Sequence, residues 1–264
     1  MYAFQYQRPT QAAQALQEAQ SGGSYLAGGQ SLVQAMKLRM SDPGRLIDLS
    51  GLPELQGIHT TPNGVRIGAM ARHAEVADHA QVRATIPALA ALAGGIGDPM
   101  VRNQGTLGGS LAYSDPAACY PSAVLALKAT IHTQARDIAA DDFFLGLYQT
   151  ALEPGEMIQA VTFQKPLGAA YIKFKHPASK LALVGVFVAR FADGVRVGVT
   201  GAQACAFRAT TIEQALQKEF APTVAQAVKV SQDEMLSDMH ASAPYRAALV
   251  STLAARAVAQ INAG

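Results

Sequence analysis

The spacing of apolar residues predicts alternating helices and strands in the first half of the chain. Residues 11–20, QAAQALQEAQ, place apolar side chains at helical intervals, and we expect a helix that is capped by Thr10 and ends at Gly22 and Gly23. Short strand-like runs occur in SYLAGG, RLIDLS and VRIGAM, whereas SLVQAMKLRM, HAEVADHA and ALAALAGG have helical character. This mixture predicts an α+β first domain.

The pattern changes beyond Pro166-Leu167-Gly168. Before this point SAVLALKA predicts a helix, and ATIHTQA and MIQAVTF predict strands. After it, Leu181–Phe191 and Gly194–Thr200 flank Asp193-Gly194, which indicates a hairpin, and helical segments fill most of residues 208–220 and 244–262. We therefore predict a domain of residues 1–168 and a smaller α+β domain of residues 169–264, with a sheet followed by helices.

One segment, residues 95–121, has neither the helical nor the strand spacing of apolar residues. Its sequence, GIGDPMVRNQGTLGGSLAYSDPAACYP, is rich in glycine and proline and poor in charge. This composition predicts a loop, and a long uncharged loop inside a compact domain is usually functional.

Composition and charge exclude several classes of protein. Half of the residues are hydrophobic and 15% are charged, which allows a substantial core, and a net charge of +2 without basic runs makes nucleic acid an improbable partner. The two cysteines form no CxxC pair, as expected of free thiols in a reducing cytoplasm. Polar glutamines replace the apolar stretch of a signal peptide, and the longest apolar run, Leu181 to Ala189, is far shorter than the ~20 residues that span a bilayer. We expect a soluble, cytoplasmic protein.

The motifs of common enzyme mechanisms are missing. The sequence contains no GxGxxG, P-loop, GxSxG or HExxH pattern, and its six histidines are dispersed, so we predict neither a metal site nor a proton-transferring catalytic residue. Asp115, before Pro116, is interpreted either as the start of a turn or as a functional carboxylate.

Two glycine pairs carry the candidate chemistry. Gly28-Gly29 precedes Gln30 and Ser31, and Gly108-Gly109 lies between Thr106 and Ser110. Consecutive amides without obstructing Cβ atoms, together with hydroxyl groups, suit a diphosphate. A plain turn is the alternative for each pair, and the residues alone leave both open.

Several stretches together resemble a known family. AGGQSLVQAMKLRM, IGAM and GDPMVRNQGTLGGSLAYSDPAACYP, with the R-N-x-G-T-[LI]-G-G motif at Arg102–Gly109, resemble the FAD-binding medium subunit of molybdenum hydroxylases of the carbon monoxide dehydrogenase and xanthine dehydrogenase type. YIKFKHPASKLALVGVFV resembles the start of that family's C-terminal domain. The resemblance spans essentially the whole chain and implies a flavin domain of the vanillyl-alcohol-oxidase/PCMH fold, followed by a small α+β domain.

The resemblance also implies which positions contact FAD. Residues 27–32 match the family's first diphosphate loop, and residues 105–110 match its second. The other positions match single residues that contact the adenine, the flavin or its ribityl chain. The implied residues are Ala27, Gly28, Gly29, Gln30, Ser31, Leu32, Ile96, Gly105, Thr106, Leu107, Gly108, Gly109, Ser110, Asp115, Cys119, Ile158, Tyr171 and Lys173. Two of these have structural alternatives, since Tyr171 also suits a core position and Lys173 also suits a solvated strand.

One position departs from the family. Cys119 stands where relatives usually carry Asp or Glu near the polar edge of the flavin. A thiol is a weak hydrogen-bond donor without the charge of a carboxylate. We therefore expect a raised flavin potential, unless Asp115 substitutes for the missing acid.

The implied activity depends on partners. The resemblance implies a large molybdopterin subunit that hydroxylates substrate, a small subunit with two [2Fe–2S] clusters, and an FAD in this chain that passes electrons to a quinone, oxygen or NAD. Such complexes are dimers of heterotrimers. The chain's own lack of an iron–sulfur cysteine pattern agrees with this division. The alternatives are a stand-alone flavoprotein oxidoreductase of the same fold and a scaffold protein that has lost FAD.

Overall fold

The computed structural model describes all residues, Met1–Gly264. The strands are β1 (Gln5–Gln7), β2 (Ser24–Leu26), β3 (Arg45–Asp48), β4 (Ile58–Thr61), β5 (Gly64–Gly68), β6 (Thr130–Thr133), β7 (Asp137–Ala139), β8 (Phe144–Gly146), β9 (Gln149–Thr150), β10 (Ile158–Gln164), β11 (Gly168–Lys175), β12 (Ala182–Phe191), β13 (Gly194–Thr200) and β14 (Phe207–Arg208). The helices are α1 (Ala12–Gln20), α2 (Leu32–Lys37), α3 (His73–Asp78), α4 (Ala80–Thr85), α5 (Pro87–Gly94), α6 (Pro99–Arg102), α7 (Leu107–Tyr113), α8 (Tyr120–Ala126), α9 (Thr210–Lys218), α10 (Pro222–Ala227) and α11 (Ala243–Asn262).

A small parallel sheet begins the chain. Its order is β1–β3–β2, so the crossover through α1 leaves room for β3 between the first two strands. Ala15 and Ala19 of α1 pack against Ile47 of β3 in a compact apolar cluster. The end of β2 therefore has a fixed position, and the first glycine pair leaves the sheet there.

A five-stranded antiparallel sheet forms the centre of the N-terminal region. Its order is β4–β5–β10–β6–β7, and Val161 of β10 pairs with Ile67 on one side and Ile131 on the other. These three side chains are fully buried. The central position of β10 places its apolar residues Ile158, Ala160, Val161 and Phe163 in the core.

A four-stranded antiparallel sheet, β11–β12–β13–β14, follows. The hairpin predicted at Asp193-Gly194 is confirmed, since β12 and β13 pair from Phe191 and Gly194 onward. The sheet lies between α11 and α8, and Gly198 of β13 approaches α8 so closely that a Cβ there would lie 2.0 Å from the Ser122 carbonyl oxygen.

The predicted boundary near residue 169 stays a prediction, and it falls within β11. The largest apolar cluster crosses it, because Phe187, Ala189 and Ala206 pack with residues of the N-terminal region. A second cluster joins the C-terminal sheet to α9, α10 and α11. None of the helices is both long and apolar enough to cross a lipid bilayer.

The prediction of a loop over residues 95–121 is wrong, because α6, α7 and the start of α8 lie there. Asp98 begins α6 with its carboxylate accepting from the Val101 amide at 2.9 Å. Thr106 begins α7 in the same way, accepting from the Gly109 amide at 3.1 Å. Side-chain caps and burial outweigh the low helix propensity of glycine here. The predicted cap of α1 is also wrong, since Gln11 precedes that helix and no side chain caps it.

Candidate functional site

One cavity of about 710 Å³ collects almost all of the predicted contact residues. Its walls come from the loop after β2, the α6–α7 region, the start of β10, and β11 with its connection to β12. The predicted residues that line it are Ala27, Gly28, Gly29, Gln30, Ser31, Leu32, Ile96, Gly105, Thr106, Gly108, Gly109, Ser110, Asp115, Cys119, Ile158 and Lys173. Segments far apart in sequence therefore face one volume, which has the size of a cofactor site.

The first glycine loop presents a row of unpaired main-chain donors to this cavity. All six residues from Ala27 to Leu32 line it, and none of their amide N–H groups donates to an acceptor in the protein. Gly29 has a φ of +68°, which permits the reversal of the chain into α2. Unpaired amides are rare in proteins except where a ligand or water accepts from them, so this loop is suited to bind an anionic group.

The second glycine segment differs, which corrects the prediction that both pairs offer free amides. The amide of Leu107 donates to the Ala71 carbonyl at 3.0 Å, and that of Gly108 donates to the Ala69 carbonyl at 2.8 Å. The Gly109 amide donates to the Thr106 hydroxyl. The first two amides join α7 to the segment that follows β5, and the third takes part in the cap of α7.

The glycines of the second segment and Gly28 instead permit close packing. A Cβ on Gly28 would lie 2.1 Å from the Gln104 carbonyl oxygen and 2.7 Å from the Gly105 Cα. A Cβ on Gly108 would lie 2.6 Å from the Cβ of Ala69. These distances are far below van der Waals contact, so the two segments meet backbone to backbone and form a single wall.

Lys173 and Cys119 form a polar corner of the cavity. The Lys173 ammonium donates to the Gly95 carbonyl at 2.8 Å and the Lys180 carbonyl at 3.2 Å, and it lies 3.4 Å from the Cys119 sulfur. Lys173 is therefore a partly buried, hydrogen-bonded strand residue rather than a freely solvated one. It ties the β11–β12 connection to the end of α5 and places a positive charge beside the thiol.

Two predicted contact residues, Leu107 and Tyr171, do not line the cavity. Leu107 is fully buried at the first position of α7, and its side chain belongs to the main core. Tyr171 packs on Phe187, with ring centroids 6.1 Å apart, and its hydroxyl is buried without a hydrogen-bond partner. Burial and the neighbouring Cys119 raise its pKa well above the usual range. Tyr171 lies on the same face of β11 as Lys173, two residues away, but it packs against Phe187 and Cys119 and does not line the cavity.

Asp115 has the role of a turn residue and also lines the cavity. Its carboxylate accepts from the Ala117 amide at 2.8 Å, after Ser114 ends α7 with a positive φ of 50°. The turn interpretation of this residue is confirmed, and its position at the cavity wall leaves one carboxylate oxygen without a protein partner.

Sequence reasoning missed several polar residues of the lining, among them His73, Glu156 and Tyr25. His73 and Glu156 are almost fully buried, and Tyr25 is half-buried. The Tyr25 hydroxyl donates to the Gly155 carbonyl at 2.9 Å, and burial raises the pKa of Tyr25 to about 12. Their positions in the sequence could have indicated a role in the site, since Tyr25 lies just before the glycine loop and Glu156 just before β10.

Glu156 is held as an anion by its neighbours. The Arg136 guanidinium donates to both carboxylate oxygens, at 3.1 and 3.0 Å, and the Thr133 hydroxyl and Glu153 amide donate as well, at 2.7 and 2.8 Å. Hydrogen bonding from Arg136 is the main reason that the pKa of Glu156 falls to about 2. This cluster braces the turn that leads into β10 and Ile158.

The arrangement suits a long ligand with an anionic segment. Unpaired amides lie at the loop after β2, and the aliphatic side chains of Leu49, Ile96, Val101 and Ile158 supply apolar walls for planar rings.

Comparison with known proteins decides the family. Residues 2–165 match the family described as the FAD-binding domain in molybdopterin dehydrogenase, which covers more than half of the chain. This chain belongs to that family. It is accordingly an FAD-binding oxidoreductase subunit.

Named relatives extend the similarity over most of the chain. The nicotine 6-hydroxylase medium subunit of Paenarthrobacter nicotinovorans is 36% identical over 253 residues, which is 90% of this chain and 89% of the relative. The carbon monoxide dehydrogenase medium chain of Hydrogenophaga pseudoflava is 33% identical over 275 residues, covering 97% of this chain and 96% of the relative. Both are medium components, as the sequence predicts for this molybdenum hydroxylase subunit.

Solved structures confirm the predicted α+β fold. A chain of carbon monoxide dehydrogenase from Hydrogenophaga pseudoflava has a TM-score of 0.90 at 33% identity, covering 99% of this chain and 98% of that one. A chain of quinoline 2-oxidoreductase from Pseudomonas putida 86 also has a TM-score of 0.90, at 27% identity, covering 100% and 98%.

The residues of the cavity fit FAD. A diphosphate needs several N–H donors at close range, and the amides of residues 27–32 are unpaired. The rest of the wall combines aliphatic side chains with the Lys173 ammonium, which suits the adenine and flavin rings and a polar ring edge.

Proposed function

We propose that this chain is the electron-transferring FAD subunit of a heterotrimeric molybdenum hydroxylase. In this proposal its FAD takes electrons from the [2Fe–2S] clusters of a small partner subunit, while a large molybdopterin subunit oxidises the substrate. The external acceptor is a quinone, oxygen or NAD, and the complex is a dimer of heterotrimers. The names of the relatives support a medium subunit of this kind.

The single observation that carries the proposal is the row of unpaired amides from Ala27 to Leu32. In our proposal these amides donate to the diphosphate, with the Ser31 and Ser110 hydroxyls at its flanks. The second segment, residues 105–110, packs against the first loop and supports it through the close approach of Gly28 to Gly105.

The remaining predicted residues would orient the two ring systems. Ile96 and Ile158 are cavity-lining aliphatic residues from different elements, and we assign them to the adenine and the flavin respectively. Lys173 and Cys119 would face the polar edge of the flavin, and Asp115 the ribityl chain. FAD itself supplies the oxidation–reduction chemistry, and the protein supplies binding, orientation and electrostatics.

Affinity purification of the full chain from its native cells tests the assembly. We expect a yellow complex that contains molybdenum, iron and about one FAD per copy of this chain, which is the content of one heterotrimer. A yellow monomer that oxidises an organic substrate without other polypeptides would support the stand-alone flavoprotein instead. A colourless chain that takes up no FAD would contradict both.

A second experiment separates electron transfer from substrate oxidation. In a complex assembled with a variant of this chain that lacks FAD, substrate should still reduce the iron–sulfur clusters, because the molybdopterin subunit is intact. Turnover with the natural acceptor should be lost. Cluster reduction followed by electron paramagnetic resonance measures the first step, and unchanged turnover without FAD would overturn the proposed role.

A further inference from the structure

His73 is a buried histidine that faces the cavity without a hydrogen-bond partner. Its exposed fraction is 5%, it lines the cavity, and its ring packs against Tyr120 with centroids 5.4 Å apart. Nδ1 is sealed from solvent and has no partner. Nε2 is the ring nitrogen that lies against Gly105 in the cavity wall, and it makes no hydrogen bond within the protein.

The sequence motif itself makes room for this imidazole. A Cβ on Gly105 would lie 2.5 Å from His73 Nε2, so only glycine fits at this position of the RNQGTLGG segment. Gly105 also contacts Gly28 on its other side. His73 Nε2 and the loop of unpaired amides therefore flank the same glycine.

The ring is neutral at pH 7. Burial, with a smaller contribution from the Arg102 charge, lowers the pKa of His73 to about 4. A neutral imidazole carries one N–H donor and one bare acceptor nitrogen. An N–H sealed away without an acceptor is costly, so the proton belongs on Nε2, where a ligand oxygen can accept from it.

We infer that His73 is a further FAD contact, with its Nε2–H donating to a diphosphate oxygen beside the amides of residues 27–32. This inference depends on the proposed assignment of that loop to the diphosphate. The backbone amide of His73 supports the position independently, since it donates to the Gly105 carbonyl at 2.9 Å and so fixes the histidine to the segment it faces.

Equilibrium titration of the full-length apo chain with FAD tests this contact. His73→Leu should weaken FAD binding by about 10- to 100-fold, as expected for loss of a hydrogen bond to a charged acceptor. His73→Gln keeps an N–H donor at similar reach and should recover most of the affinity. His79→Leu is the matched control, because His79 also has a buried, unpaired Nδ1 but lies outside the cavity lining. Equal affinity of His73→Leu and the unmodified chain would overturn the inference.

Nitrogen NMR of the unmodified protein decides the question even where His73→Leu fails to fold. The inference requires the Nε2–H tautomer of His73 and a shift of the Nε2 resonance on addition of FAD but not of riboflavin, which has no phosphate. An Nδ1–H tautomer, or an Nε2 chemical shift that does not change when FAD is added, would contradict the inference. Failure of the unmodified chain to bind FAD at all would instead overturn the proposed function.

Discussion

At the scale of single residues, the glycines of the site are required for different steric reasons. Gly28 and Gly108 allow backbones to meet, Gly105 leaves room for His73, and Gly29 adopts a left-handed conformation. The loop that contains Gly28 and Gly29 has a run of unpaired amides, whereas the amides of Gly108 and Gly109 are paired. A glycine-rich motif therefore indicates a ligand site without showing which of its members face the ligand.

Gly109→Val should leave a folded protein that purifies without colour. A Cβ at this position would lie 2.9 Å from the Thr106 hydroxyl and 3.3 Å from the Ala27 Cβ, so the larger side chain must push into the first loop. Visible absorbance and circular dichroism measure flavin content and folding. Gly94→Ala is a suitable control, because its new Cβ would meet only Ala77, at 3.7 Å. A yellow Gly109→Val protein with full flavin occupancy would show that the loops tolerate the change.

Cys119→Asp should lower the reduction potential of the bound flavin. The cavity-lining thiol is 6% exposed, and a carboxylate there would oppose the additional negative charge of the reduced flavin. The Lys173 ammonium, 3.4 Å from the sulfur, would offset part of this effect. A redox titration against Cys119→Ser, which adds no charge, isolates the electrostatic contribution. An unchanged potential in the aspartate variant would refute the expectation.

At the scale of elements, the Glu156 cluster joins the β6–β7 hairpin to the turn before β10. Thr133 and Arg136 belong to the hairpin region, and Glu156 precedes the strand that carries Ile158. The side chain of Glu156 is 3% exposed, so its charge depends on these partners. One wall of the cavity is therefore held by an ionic contact in addition to the apolar packing of Met157 and Ile158.

The stability supplied by Glu156 should disappear in acid. Its pKa is about 2 in the folded chain against an ordinary value of 4.5. The lowered pKa stabilises the fold above pH 4.5, and this contribution is lost as the pH falls toward 2, with an upper limit of about 3 kcal/mol. Urea unfolding of Glu156→Gln and the unmodified chain should therefore differ at pH 7 and converge toward pH 2. Asp78→Asn, in the exposed pair with Arg83, should show little difference at either pH.

At the scale of the whole molecule, the largest apolar cluster contains residues of both predicted domains. Phe187 and Ala189 of β12 complete the apolar cluster of the N-terminal region, and β13 covers α8. The Thr200 hydroxyl, fully buried, lies 2.6 Å from the Ala118 carbonyl oxygen and so joins the second sheet to the cavity segment. The C-terminal sheet thus supports the site from behind.

Scanning calorimetry of the full chain should show one cooperative unfolding transition. Separation of the two regions would expose the shared apolar cluster, so neither region should melt alone. The ratio of calorimetric to van't Hoff enthalpy measures this cooperativity, and a value near one is expected. Two resolved transitions would indicate that residues 1–168 and 169–264 unfold independently.

The sequence alone determined the class of fold, the position of the cavity loops and the family, because these depend on local patterns. The apolar pattern of MIQAVTF predicted the strand that became β10, and the spacing of AGGQS and RNQGTLGG carried the resemblance. Tertiary structure decided which groups are free to bind. Whether an amide at Gly28 or Gly108 has an acceptor depends on segments distant in sequence, as does the burial of His73, Leu107 and the Tyr171 hydroxyl. No local pattern contains that information, since a partner's position is set only when the sheets and helices pack.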